Sequence, residues 1–234
     1  MSSKKALVLS SGGVDSTTCV AMAVARFGKE NVSTLSVYYG QKHSKELKCA
    51  SDIAAYYGLA HYEIDLSCIM QYSKTCALLK GSEVQIQEKS YDEQIRASNG
   101  MVNTYVPFRN GLLLSSVAAL AVSIYPDEEV SVYLGAHADD AAGNAYADCS
   151  EAFTNAMKQA IYIGTYNKVT VECPLVNWNK SRVVKEGLAL NAPYHLTWSC
   201  YNGRDKACGK CGTCIDRLAA FKANGVVDPI SYES

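Results

Sequence analysis

The first segment able to do chemistry joins a short apolar run to a helical pattern. It reads Ser10-Ser11-Gly12-Gly13-Val14-Asp15-Ser16-Thr17-Thr18, with adjacent glycines, several hydroxyl groups, one carboxylate and no lysine. A strand that turns into a helix presents free backbone N–H groups at the positive end of the helix dipole, where they bind anions. Glycines let that backbone approach a ligand closely. The segment therefore predicts a loop that binds phosphate or pyrophosphate.

Two common phosphate-binding motifs do not match this loop. It lacks the lysine of Gly-x-x-x-x-Gly-Lys-Ser/Thr and the spaced glycines of Gly-x-Gly-x-x-Gly. Asp15 would repel a phosphate group unless a cation such as Mg²⁺ lay between them, so the carboxylate indicates a metal-assisted site. The alternative is a structural glycine-rich turn in which Asp15 caps the helix.

Four cysteines near the C-terminus have the spacing of a metal site. Cys208, Cys211 and Cys214 are separated by two residues each, and Cys200 precedes them. Four thiolates without a histidine are typical of a closed structural Zn²⁺ site. An iron–sulfur cluster is the alternative, because the three close cysteines match the start of a ferredoxin run. That run would continue with a cysteine at position 218, which is Leu218 in this chain, so zinc is favoured.

Alternating strand and helix patterns must position these groups. Strands are predicted at 6–10, 32–38, 61–65, 130–135 and 169–173, and helices at 16–27, 44–57, 112–123, 151–163 and 181–190. This alternation implies crossover units on a parallel sheet, so the fold class is α/β, with five strands and helices on both faces. We expect an α/β domain at 1–195, with an excursion or lid at 66–107, and a zinc motif with a final helix at 196–234.

Several segments carry a resemblance to known families. Ser11-Gly12-Gly13-Val14-Asp15-Ser16 resembles the signature of the pyrophosphate-loop ATPases, whose Rossmann-like fold is called adenine nucleotide alpha hydrolase-like. Over residues 6–229 the chain resembles the 7-cyano-7-deazaguanine synthases of queuosine biosynthesis. The segments that carry this second resemblance are YGQKH at 39–43, YVPFRN at 105–110, DCSEAF at 148–153, PL at 174–175, TWSCY at 197–201 and CGKCGTCIDRLAAF at 208–221.

The resemblance implies an ATP-dependent ligase. Its substrates would be 7-carboxy-7-deazaguanine, ammonia and ATP with Mg²⁺, and its products would be the nitrile 7-cyano-7-deazaguanine, AMP and pyrophosphate. The reaction would pass through an adenylated acid and an adenylated amide. One structural Zn²⁺ would be held by Cys200, Cys208, Cys211 and Cys214. ATP would be bound by Ser10, Ser11, Gly12, Gly13, Val14, Asp15, Ser16, Thr17, Thr18, Cys19 and Val20. The chain departs from the family pattern at Ser150, where a basic residue is expected, and in a longer loop at 141–148.

Two basic residues are candidates for catalysis beside Asp15. Arg109 follows Pro107 at the start of a predicted helix, where its guanidinium could hold a phosphate or the substrate carboxylate through two hydrogen bonds. Lys180 precedes another predicted helix and resembles the phosphate-binding lysine of the family. For both residues the alternative is a surface position without a catalytic role.

Side chains after the fourth predicted strand form a further candidate group. Asp139 and Asp140 follow that strand at the edge where open α/β sheets bind ligands, so they could serve a metal or a purine-like ring, or only solvate a loop. The four histidines show no metal-ligand spacing and are interpreted as structural, with His137 beside Asp139 as the one exception left open.

Composition limits the class of protein. The chain has 234 residues, 48% of them hydrophobic, and a formal net charge of -1. This is enough for one substantial core and gives no electrostatic reason to expect nucleic acid or an anionic membrane as partner. No targeting pattern is seen, and the apolar stretch at 112–122 is too short to cross a bilayer. We expect a cytoplasmic homodimer, with buried thiols at the other cysteines, Cys19, Cys49, Cys68, Cys76, Cys149 and Cys173.

Two other functions compete with the ligase. A tRNA-thiolating relative would need a sulfur-carrying cysteine near the nucleotide and a basic RNA surface, and the near-zero net charge argues against that surface. A zinc-ribbon interaction module would use the nucleotide only as a structural ligand. Exchange of pyrophosphate into ATP, dependent on the carboxylate substrate, separates the enzyme from the module.

Overall fold

A parallel sheet of five strands forms the centre of the molecule. The computed structural model describes residues 4–89, 93–94, 96, 102–141, 146–202 and 205–233, without the side chains of 140 and 141. The strands are β1 (Lys5–Leu9), β2 (Val32–Tyr38), β3 (Ala60–Asp65), β4 (Val130–Tyr133) and β5 (Val169–Glu172). Their order in the sheet is β3-β2-β1-β4-β5, and every pair of neighbours is parallel.

Helices cover both faces of this sheet. In β1, Ala6 and Val8 point into one buried apolar cluster while Leu7 and Leu9 point into another, as the period of two residues in a strand requires. The described helices are α1 (Val14–Phe27), α2 (Lys45–Tyr57), α3 (Ser67–Met70), α4 (Arg109–Ile124), α5 (Ala138–Ala141), α6 (Glu151–Gly164), α7 (Lys180–Ala189) and α8 (Gly212–Ala223). Helices α1, α7 and α8 pack in the first cluster, and α4 and α6 in the second.

The predicted α/β architecture is confirmed, although element boundaries differ and the short helices α3 and α5 were not predicted. Helix α4 begins at Arg109, three residues before the predicted start, because Arg109-Asn110-Gly111 has no apolar residue to extend the helical pattern. Helix α7 begins at Lys180, one residue early, and Asn179 caps it by accepting a hydrogen bond from the Arg182 N–H at 2.9 Å. Strand β4 ends at Tyr133 rather than at residue 135.

The predicted excursion at 66–107 packs against the body of the protein in its described part. Met70, Cys76, Leu78, Leu79 and Val106 form a small buried cluster of their own. The N–H of Lys42 donates to the carbonyl of Leu78 at 2.8 Å, which joins this cluster to the segment after β2. Part of the excursion therefore stands beside the carboxyl edge of the sheet.

The C-terminal helix is anchored by a buried ion pair. The Arg217 guanidinium, with no exposed surface, donates to both carboxylate oxygens of Asp228 at 2.7 and 2.9 Å. It also donates to Thr197 Oγ1 at 2.8 Å and to Ser199 Oγ at 3.2 Å. These hydrogen bonds compensate the free-energy cost of removing the two charges from water. The pair therefore holds α8 against the segment that precedes the cysteines. Phe221 of α8 packs in the same apolar cluster as Ala6 and Val8 of β1. The domain boundary between residues 195 and 196 stays a prediction.

The prediction that all six scattered cysteines are buried is wrong for three of them. Cys19, Cys76 and Cys149 are buried, whereas Cys49 and Cys173 are half-buried and Cys68 is exposed in the short helix α3. Cys68 lies where the excursion begins, outside the apolar clusters. Among the described residues, no helix has the length and apolar character needed to span a membrane.

We expect Asp228→Asn to lower the free energy of unfolding by about 3–5 kcal/mol, because it leaves the Arg217 charge buried without a counter-charge. Urea unfolding followed by circular dichroism measures this loss. Asp52→Asn is the control, since Asp52 pairs with Lys48 on the surface of α2 and that exposed pair should contribute nothing measurable. Equal effects of the two substitutions would contradict an anchoring role for the Arg217–Asp228 pair.

Candidate active site

A cavity of about 250 Å³ lies at the carboxyl ends of β1, β2 and β4. Open parallel sheets bind their ligands at this edge, because helices begin there and present free N–H groups. The first loop, the start of α2, the excursion, α4 and the cysteine segment all contribute to its walls. Elements distant in the sequence therefore meet around one space.

Gly12 sets the spacing between the loop and its neighbours. Its φ of 78° lies in the left-handed region, and a Cβ there would overlap the carbonyl oxygen of Glu46 in α2. Its own carbonyl accepts a hydrogen bond from the Trp198 N–H at 2.9 Å. Only glycine permits both the turn and this close approach. The loop is thereby held between α2 and the segment that leads to the cysteines.

The hydroxyl groups of the loop divide into two sets. Thr17 and Thr18 are buried, and their hydroxyls donate to the carbonyls of Gly13 and Val14 at 2.7 and 2.9 Å. Their hydroxyls are therefore engaged inside the protein. Of the eleven residues expected to bind ATP, those that line the cavity are Ser10, Ser11, Gly13, Asp15 and Ser16, and those that do not are Gly12, Val14, Thr17, Thr18, Cys19 and Val20.

The cavity-facing serines are positioned for a ligand. Ser16 Oγ accepts the Ser11 N–H at 3.1 Å, and the two side-chain oxygens are also 3.1 Å apart. Ser10 Oγ is buried and has no hydrogen-bond partner among the described residues. A buried hydroxyl without a partner is costly, so a bound ligand that satisfied it would gain binding energy.

Asp15, Lys180 and His137 form a charged cluster beside the loop. The Lys180 ammonium lies 2.6 and 2.7 Å from the two carboxylate oxygens of Asp15, and His137 Nε2 lies 3.4 Å from the ammonium. Burial alone would raise the pKa of Asp15, but Lys180 and His137 outweigh it and hold that pKa below its ordinary value. The Lys180 backbone N–H donates to Asp139 at 2.7 Å.

Two of the three residues predicted from the sequence to act in catalysis meet in this cluster. The structure brings Asp15 and Lys180 together and adds His137, which sequence reasoning left open. Asp15 lies in the first turn of α1, whose N-cap is Gly13, so the alternative in which Asp15 caps the helix is wrong. Asp139 orients the start of α7. The side chain of Asp140 and residues 142–145 of the predicted longer loop lie outside the described residues.

Arg109 reaches the cavity from the first turn of α4. The preceding Phe108 has a left-handed backbone with φ of 52°, and its N–H donates to the Tyr105 hydroxyl at 3.0 Å. The Arg109 guanidinium lies 5.7 Å from the centre of the Tyr39 ring. Burial would lower the pKa of Arg109, but its neighbours, with Tyr39 the foremost, raise it above the ordinary value, so this residue remains a cation.

A buried carboxylate anchors the start of α4. Asp148 accepts the Asn110 N–H at 2.9 Å, and the Asn110 side chain donates to the Asp148 carbonyl at 3.1 Å and to Cys149 Sγ at 3.2 Å. Ser150, the departure from the family pattern, caps α6 by accepting the Phe153 N–H at 3.2 Å. The DCSEAF segment therefore positions two helices at the cavity.

The four predicted metal ligands come together. The sulfur atoms of Cys200, Cys208, Cys211 and Cys214 all lie within 4.8 Å of one another, and all four residues are buried. The N–H groups of Cys208 and Cys211 donate to the sulfurs of Cys200 and Cys208 at 3.3 Å. Hydrogen bonds of this kind favour the thiolate, which is the form that binds metal. The cluster is a metal site.

Trp198 connects this metal site to the loop. Besides its contact with Gly12, its indole N–H donates to the Cys200 carbonyl at 2.9 Å. The Lys45 ammonium lies 3.4 Å from the centre of its ring, a cation–π contact. Trp198, Glu46 and Tyr39 all line the cavity or reach it, and sequence reasoning did not single them out. Trp198 and Tyr39 lie in the quoted segments TWSCY and YGQKH, whereas Glu46 lies three residues after YGQKH and no sequence signal pointed to it.

A parallel sheet of five strands, whose first strand leads through a glycine turn to a helix N-terminus, defines an α/β protein, here with a four-thiolate metal site. The family model described as "Queuosine biosynthesis protein QueC" matches residues 5–225. The chain belongs to the QueC family.

Sequence similarity to known proteins extends over almost the whole chain. It is 42% identical to the 7-cyano-7-deazaguanine synthase of Hahella chejuensis, covering 98% of this chain and 94% of that protein. It is 40% identical to the 7-cyano-7-deazaguanine synthase of Psychromonas ingrahamii, covering 99% of each. Among solved structures, an NH3-dependent NAD synthetase from Campylobacter jejuni is 17% identical, with a TM-score of 0.45 over 84% of this chain and 67% of that one.

We expect Lys180→Met to raise the pKa of the Asp15 carboxyl above its ordinary value, because burial raises that pKa and only the charge of His137 and a backbone hydrogen bond would still lower it. NMR titration of the carboxyl carbon measures the change. Lys185→Met is the control, since Lys185 lies on the exposed side of the same helix. An unchanged Asp15 titration in Lys180→Met would mean that the two groups are not paired in solution.

Proposed function

We propose that this chain forms 7-cyano-7-deazaguanine by activating substrate oxygen twice with ATP in a single cavity. As a member of the QueC family it is an ATP-dependent ligase of queuosine biosynthesis, with the activity of the synthases it resembles. The observation that carries the proposed mechanism is that one cavity is lined by the loop, Asp15, Lys180 and Arg109 together.

The chemistry explains why activation must occur twice. A carboxylate has two oxygens and a nitrile has none, and neither hydroxide nor oxide leaves readily. In the first half, the carboxylate attacks ATP to give an acyl-adenylate and pyrophosphate, and ammonia displaces AMP to give the amide. In the second half, the amide oxygen attacks another ATP and expels a second pyrophosphate, and loss of AMP and protons from the adenylated amide leaves the nitrile. Each substrate oxygen thus departs in an AMP molecule.

The residues of the cavity suit these steps. The N–H groups of the loop and the serines Ser11 and Ser16 would bind pyrophosphate, and Lys180 would add positive charge at the phosphates. Asp15 faces the cavity with the oxygen ligands that Mg²⁺ prefers, and Mg²⁺ would neutralise charge developing on the phosphates. Arg109, a permanent cation on the Tyr39 side, would hold the substrate carboxylate. These roles, like ATP binding at residues 10–20, are proposals.

Zinc is the metal that we propose for the four thiolates. Tetrahedral coordination at about 2.3 Å from one ion separates sulfurs by about 3.8 Å, close to the 4.0 Å between Cys208 and Cys214. An iron–sulfur cluster places its own irons and sulfides between the thiolates and needs wider separations. With four protein ligands the site is closed, so its role would be structural. The cytoplasmic location and the homodimer also remain predictions.

Isotope labelling tests the double activation. With substrate carrying ¹⁸O in both carboxylate oxygens, each nitrile should be accompanied by two AMP molecules, each with one label, as measured by mass spectrometry. Unlabelled substrate in labelled water is the control and should leave AMP unlabelled. Label in inorganic phosphate, or ADP as the nucleotide product, would contradict the mechanism even if the nitrile formed.

For the metal site, we expect Cys208→Ser to lower bound zinc and thermal stability together, because metal binding contributes to folding free energy. Elemental analysis and thermal unfolding measure the two quantities, and Cys68→Ser, at the exposed cysteine, is the control. Iron in place of zinc, with visible absorbance from an anaerobically purified protein, would support the cluster alternative.

A further inference from the structure

Glu46 is a carboxylate of the cavity to which the proposed steps assign no role. It lies in the first turn of α2, lines the cavity and is partly buried. Within the described part of the chain its carboxylate forms no hydrogen bond or ion pair. Burial raises the pKa of Glu46 to about 7, although the charge of Arg109 opposes this. Such a carboxylate is poorly solvated until a ligand supplies donors.

The surroundings of Glu46 suit a flat aromatic ring. The Tyr39 ring and the side chains of Leu78, Ile86 and Leu113 line the same cavity. The Arg109 guanidinium lies above Tyr39, so a cation is also present on this side. Apolar walls with few polar groups are how proteins bind planar ligands and select their orientation. Glu46 would repel ATP phosphates, so a neutral ring that brings N–H groups suits this side of the cavity better.

We propose that Glu46 recognises the guanine-like edge of the substrate, accepting hydrogen bonds from its ring N1–H and its 2-amino group. This inference rests on the proposed function. The two donors are parallel and adjacent, so they match the two oxygens of one carboxylate, as a guanidinium fork does. Arg109 would then hold the carboxylate at the opposite end of the ring, and the two side chains would orient the substrate between them.

The backbone of Glu46 makes this recognition useful for catalysis. Its carbonyl packs against Gly12, so α2 cannot shift relative to the phosphate-binding loop without breaking that contact. A ring held by Glu46 therefore has a set position relative to ATP bound at the loop. Such positioning lowers the barrier because the reacting carboxylate and phosphate start close together and aligned. Glu46 would act as a specificity and positioning residue.

The test compares 7-carboxy-7-deazaguanine with 7-carboxy-7-deazahypoxanthine, which lacks the 2-amino group. We measure kcat/KM for nitrile formation with the native protein and with Glu46→Gln. The native protein should prefer the amino-bearing ring by about 100-fold or more, because the other ring leaves a carboxylate oxygen unpaired. In Glu46→Gln the preference should fall below about tenfold, since an amide offers one acceptor only. KM for ATP should not change.

Asp52→Asn is the matched control, because it makes the same acid-to-amide change on the exposed surface of α2. It should keep the native preference. If Glu46→Gln does not fold, Glu46→Asp, which keeps the charge but shortens the side chain, should lower kcat/KM at least tenfold for the amino-bearing ring and less for the other.

Three results have distinct meanings. A native preference below tenfold, or a preference retained in the Glu46 variants, would overturn the inference. A raised KM for ammonia with unchanged ring preference would also overturn it, and would make Glu46 a proton acceptor for ammonium. No nitrile from either ring with the native protein would instead refute the proposed function itself.

Discussion

The close packing of backbone around Gly12 is the constraint on which the rest of the site depends. A left-handed glycine brings the loop against the Glu46 carbonyl on one side and accepts the Trp198 N–H on the other. Any side chain at this position would separate the three segments. The loop at 10–16, the start of α2 and the cysteine segment therefore form one wall, and the cavity exists because they cannot move apart independently.

Charge is distributed around this wall in a way that suits an anionic cosubstrate and a polar ring. Lys180 and His137 lie beside Asp15, in segments that follow β5, β4 and β1 in the chain. Arg109 lies over the ring of Tyr39, which follows β2. Lys180 is held in place by the Asp15 carboxylate, and Arg109 packs over the Tyr39 ring. Such preorganised charges cost no reorganisation when negative charge develops on a substrate.

The metal site and the Arg217–Asp228 pair have complementary roles in holding the C-terminal part of the wall. The four thiols hold Cys200 close to the 208–214 segment, and Trp198 joins Cys200 to the loop through its hydrogen bonds. The buried pair secures α8, which carries Cys214, against Thr197 and Ser199.

The sequence by itself determined the α/β class, the order of strands and helices along the chain, the glycine turn between the first strand and α1, and the metal ligands. These follow from local features: apolar periodicity, adjacent glycines and cysteine spacing. Only the tertiary structure decided that Asp15 pairs with Lys180, 165 positions away, because that depends on which strand ends meet. It also decided that Thr17 and Thr18 turn inward while Glu46 faces the cavity, since a side chain's direction on a helix depends on what packs against each face.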